Sequence, residues 1–114
     1  MNFTSSSAQV VSFLAGCQAI VDANSATFSE LSKIQRERLI LTEGGRYIKI
    51  VRETLHLPTG TVNSRSAHCF IDRTNGDVLK TASWAAPAKG ARGNITDDKN
   101  GLGRMGCYGA GYNR

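Results

Sequence analysis

The stretch TFSELSKIQRERLILTEGGRYIKIVR, residues Thr27 to Arg52, contains the change of period on which the fold depends. Its first part spaces Phe28, Leu31, Ile34, Leu39 and Leu41 close to the helical repeat, and Thr27 with Glu30 has the form of a capping box. The spacing predicts a helix that opens at Thr27 and stops at Gly44-Gly45, with Lys33, Arg36, Glu37 and Arg38 on its solvated face. Beyond the glycines the pattern alternates. Ile48 and Ile50 fall on one side of an extended chain, and Tyr47, Lys49 and Val51 fall on the other.

Toward the N-terminus, Ser6 with Gln9 repeats the capping signature. Val10, Val11, Phe13, Leu14, Cys17, Ile20 and Val21 then predict a first helix from about Ser7 to Ala23. Toward the C-terminus, Pro58-Thr59-Gly60 marks a loop before a strand around Ser66–Ile71. Within Asp72–Asp77 the pair Asn75-Gly76 tolerates the positive φ of a tight hairpin, so Val78-Leu79-Lys80 is expected to pair antiparallel with Cys69-Phe70-Ile71. The expected fold is α+β: an N-terminal helical hairpin, a three-stranded antiparallel meander and a glycine-rich C-terminal tail. Residues 1–95 would form the domain, and the basic tail 96–114, with no persistent period, would be loop or partly disordered.

A chain of 114 residues has room for one core. Its net charge of +5 is uneven: residues 1–32 carry −2, 33–79 carry +3 and 80–114 carry +4. Such a bias raises the local concentration of anionic partners, nucleic acid and phosphorylated ligands among them. Cys17, Cys69 and Cys107 form no short-spaced pair, which argues against a disulfide framework or zinc knuckle and fits a reducing compartment. Leu14-Ala15-Gly16-Cys17 looks like a lipoprotein box, but no Lys or Arg precedes it. No apolar run is long enough for a bilayer, so no membrane partner is expected.

The segment after the last predicted strand, Trp84 to Ile95, combines glycines, alanines, Lys89 and Arg92. Small residues allow close backbone approach to an anion and the two cations add charge-assisted contacts, so the expected ligand site is this loop with Lys80 and Trp84. Arg104, Tyr108 and Tyr112 in the tail would assist by phosphate contact and stacking. The loop lacks the Gly-Lys-Ser/Thr ending of a nucleotide cradle and the three-glycine dinucleotide fingerprint. Catalytic residues, cofactors and metals are not expected. His68 and Cys69 are neighbours on a strand and so point apart unless a bulge intervenes, and Asp97-Asp98-Lys99-Asn100-Gly101 lacks the alternating acids of a calcium loop. His56 and His68 would reach a metal with the distant cysteines only through tertiary folding.

The segment Ala82-Ser83-Trp84-Ala85-Ala86-Pro87-Ala88-Lys89-Gly90-Ala91-Arg92-Gly93-Asn94-Ile95, with the hairpin before it, resembles small uncharacterised proteins encoded by bacteriophages; the resemblance covers residues 66–95. It implies a phage context, in the host cytoplasm or the virion, and implies no mechanism. The function expected is a noncatalytic phage-encoded protein that binds nucleic acid or another phosphate-rich anion. The alternative is a protein–protein module, a virion component or an inhibitor of a host factor, using the helical hairpin or the sheet. Either oligomeric state is compatible with the sequence.

Overall fold

The computed structural model describes residues 2–25, 33–107 and 109–110. One helix, α1 (Ala8–Ser25), precedes seven strands: β1 (Gln35–Glu43), β2 (Tyr47–His56), β3 (Thr61–Asp72), β4 (Asp77–Thr81), β5 (Pro87–Asn94), β6 (Met105–Gly106) and β7 (Gly109–Ala110). The first five form an antiparallel sheet in chain order, and β6 and β7 form a separate two-stranded hairpin.

The helical hairpin and the three-stranded meander are therefore both corrected: one helix packs on a five-stranded sheet. The expected second helix is strand from Gln35 onward, and its opening at Thr27 lies outside the described residues. The reason is that Arg36–Thr42 satisfies alternation as well as a helical count, a tie common in short apolar runs. Glu37, Leu39 and Leu41 face α1, while Arg36, Arg38 and Ile40 face away. The partner breaks the tie, because Gly44-Gly45 turns the chain as a hairpin and all nine residues of β1 pair with β2.

The second correction is β5. Residues 87–94, expected to be a ligand loop, pair with β4 at Asp77↔Asn94, Val78↔Gly93, Leu79↔Ala91 and Thr81↔Pro87. Their small size serves packing: a Cβ on Gly93 would stand 3.0 Å from the carbonyl oxygen of Gly101. Gly101, at φ 78°, in turn lies against Val78 and Phe13. Asp97 holds this approach in place by accepting the amides of Asn94, Lys99 and Gly101. Those bonds, from Gly101 first and then Asn94, hold its carboxyl below the usual aspartate range, so residues 97–101 form a capped turn. Leu102 then packs over Gly16 of α1 and joins the edge of the core.

The core lies between α1 and one sheet face. Val10, Phe13, Cys17 and Val21 make the apolar stripe of α1, and all are fully buried. They meet Leu39, Ile48, Ile50, Cys69, Ile71, Val78 and Ile95. The cysteine of the supposed lipoprotein box is thus a core residue.

The exposed edge of β1 has an unusual guard. The Gln18 amide donates to Glu37 O at 3.0 Å and accepts from Leu39 N at 2.8 Å, occupying the positions a neighbouring strand would fill. Gln18→Ala leaves both groups unpaired and is expected to lower stability by about 1–3 kcal/mol, read as a shift of the urea midpoint.

Candidate functional site

Residues directly opposite one another in antiparallel strands share a face, so the pairing defines what lies on the side of the sheet away from α1. Lys49 of β2 opposes Phe70 of β3, which opposes Leu79 of β4; Glu53 lies between Arg38 and Arg65. The β4–β5 connection, residues 82–86, bends over this outer face. It is closed by the amides of Ala82 and Ser83, which both donate to Ala86 O.

The turn is held by Lys49. Its ammonium donates to Trp84 O at 2.9 Å and sits 3.8 Å from the centre of the indole ring. Trp84 nevertheless keeps half of its surface exposed. Tyr47 stands beside it on the same face, its ring edge-on to Phe70 at 6.0 Å and 77°. Arg46 lies 5.4 Å from the Tyr47 ring and 3.4 Å from Asp72 Oδ2. Tyr47 borders two shallow hollows. One of about 220 Å³ lies toward Thr42, Phe70 and Ala85, and one of about 360 Å³ lies toward Leu79, Pro87 and Lys89.

At the other end of the face, Glu53 accepts from Arg38 at 2.5 Å and Arg65 at 2.6 Å. These hydrogen bonds, Arg38's first, hold its carboxyl below the usual glutamate range. Arg38 and Arg65 hold the carboxylate of Glu53, which is buried. Along the whole face and the hollows on it, Arg36, Arg38, Arg46, Lys49, Arg65 and Lys89 stand against Glu43, Glu53, Asp72 and Asp77, six cations to four carboxylates. Arg36 and Lys89, one at each end, are exposed.

Of the residues expected from sequence, Trp84 and Lys89 come together on this face. Arg92 does not join them: it is buried and donates to the carbonyls of Lys89 and Gly90, so the strand's own oxygens surround a cation. That arrangement is the reverse of an anion cradle, which needs amides turned inward. Lys80 alternates with Leu79 onto the α1 side, and Arg104 lies in the turn before β6, which packs against α1. Tyr108 and Tyr112 lie outside the described residues. Tyr47 and Lys49 share the face that alternation alone assigns them, with Arg65 on it, while Lys80 lies on the other side of the sheet.

His68 is a separate polar feature. It falls at a β-bulge, where β3 shifts register against β2 between Cys69 and Ala67. It is 3 % exposed, and among the described residues neither ring nitrogen has a hydrogen-bond partner. Desolvation, aided by the positive charge of Arg52, pushes its pKa down to about 4. Arg52 is itself engaged by Glu37 Oε2 at 3.0 Å and Cys107 O at 2.7 Å. Cys69 is fully buried beside Cys17, and burial first, then that thiol, raises its pKa.

Among the described residues no three His, Cys, Asp or Glu side chains gather as a metal-binding group, and no helix is long and apolar enough to cross a membrane. The sequence model of a family of unknown function (DUF7717) matches residues 4–112. No curated protein and no solved structure matches the chain.

Proposed function

The chain belongs to this family of unknown function (DUF7717), and we propose that it is a noncatalytic binder of nucleic acid that uses the outer face of its sheet. The observation that carries this reading is the combination, on one solvent-reached surface, of six cationic side chains with the Trp84 and Tyr47 rings. The cations supply the salt-dependent attraction common to nucleic-acid binders, and the rings supply contacts that a purely ionic patch lacks. The reading moves the centre of the site from the 87–94 segment to the sheet, with Trp84 and Lys89 common to both. A phage setting, in the host cytoplasm or the virion, belongs to the same proposal and rests on the 66–95 resemblance.

The competing reading is a protein–protein module. Among the described residues one helix stands in place of its helical-hairpin surface, which leaves the sheet, whose basic face suits an acidic virion or host partner and not a second copy.

Fluorescence anisotropy with labelled oligonucleotides across a salt series tests the proposal. Affinity is expected to fall linearly on a log–log plot, and Arg36→Gln and Lys89→Gln are each expected to reduce that slope by about 1. Both residues are exposed, so the substitutions leave the fold intact. Absence of binding at low salt, or affinity indifferent to salt, removes the proposal.

A further inference from the structure

We infer that the ligand of the outer face is single-stranded, with one unpaired base stacked on the solvent side of Trp84 and its neighbours seated in the hollows beside Tyr47. The inference rests on the nucleic-acid reading above and narrows it.

Three observations lead to it. The first is the state of Trp84: Lys49 occupies one side of the indole at 3.8 Å and ties the turn through Trp84 O, yet half of the residue remains in solvent. A ring whose inner side is fixed by a cation and whose remaining surface is bare is a platform, oriented before any ligand arrives. The second is the position of Tyr47 on the border of two hollows of about 220 and 360 Å³. They are open and shallow, and they carry polar edges, Thr42 and Glu43 in one and Asp72, Asn75 and Asp77 in the other. Flat rings with hydrogen-bonding rims suit such places. The third is the shape of the carrier. A sheet can read a duplex by entering a groove with its strands, but the half-exposed ring of Trp84 offers a flat stacking surface, which groove reading does not use. In a duplex the base faces are already stacked on each other and cannot meet Trp84. A single strand offers its faces and its phosphates together, the phosphates falling toward Arg36, Lys89 and the arginines that flank Glu53.

Trp84 is the only tryptophan in the chain, so its fluorescence reports this contact alone. The protein is titrated at fixed salt with a thymidine oligonucleotide, its uridine counterpart, an abasic oligomer of equal length and a duplex. Emission is expected to be quenched by the base-bearing single strands, and these are expected to bind about tenfold more tightly than the abasic oligomer. Because thymidine and uridine differ in the 5-methyl group as well as the 2′-hydroxyl, a deoxyuridine oligomer run beside them assigns any difference to the base or to the sugar. Trp84→Ala is expected to lose about tenfold in affinity with an unchanged salt slope, and Trp84→Phe to recover part of it. Equal binding of abasic oligomer, duplex and single strand without quenching overturns the inference while leaving salt-dependent nucleic-acid binding in place. Failure of all four to bind overturns both.

Discussion

Phe13→Ala is expected to lower stability by about 3–5 kcal/mol, enough to unfold much of a marginal domain. Phe13 is fully buried at the middle of the α1 stripe. Its ring stands 3.3 Å from where a Cβ on Gly101 would lie, so it supports both the sheet and the turn that Asp97 closes. Truncation removes the ring's transfer energy and opens a cavity that the turn, fixed by three amide bonds, cannot close. Urea unfolding should show a lower midpoint with an unchanged m-value. Val11, on the same helix but half exposed, provides the control: Val11→Ala should change stability by no more than about 0.5 kcal/mol. Equal costs for the two would mean that α1 is not docked by this stripe.

Acidification from about pH 7.5 to about pH 4.5 is expected to remove about 2–3 kcal/mol of stability through His68 alone. Its pKa is about 4 in the fold and 6.5 ordinarily. Between those values the unfolded chain binds a proton that the folded chain refuses. The contribution is therefore complete above the unfolded value and is lost as pH falls toward the folded one. The carboxylates whose pKa values are held down, Glu43 and Glu53 among them, lose their contributions only below their ordinary 4.5, so the upper window belongs to the imidazole. His68→Leu should abolish that slope. At neutral pH it should be at least as stable as the parent, because it removes two buried nitrogens that have no partners among the described residues. A slope that persists in His68→Leu would contradict this assignment.

What could be read from sequence follows the range of the forces involved. The α1 stripe and the Asn75-Gly76 hairpin depend on neighbours a few residues apart, and both form: Phe70 pairs with Leu79 and Ile71 with Val78. Alternation over 47–51 also placed Tyr47 and Lys49 together, half of the site's core. Leu39-Ile40-Leu41 could not be resolved locally, because both periods fit and only pairing with β2 decides. The site itself needs Lys49 to meet Trp84 across 35 residues of chain, and no short-range pattern encodes that contact. Arg92 looked available by composition, but the bulge in β5 turned it onto its own carbonyls. Small residues in 87–94 suggested room for an anion, and that room is taken by Gly101.

Amide and indole chemical-shift mapping during titration with a short thymidine oligonucleotide shows whether the ligand sits on the outer face of the sheet. The perturbed signals are expected to form one patch: the Trp84 indole, Tyr47, Lys49, Phe70 and Lys89, with α1 silent. Perturbations confined to α1 and the 99–107 turn, or no perturbation at low salt, would contradict it.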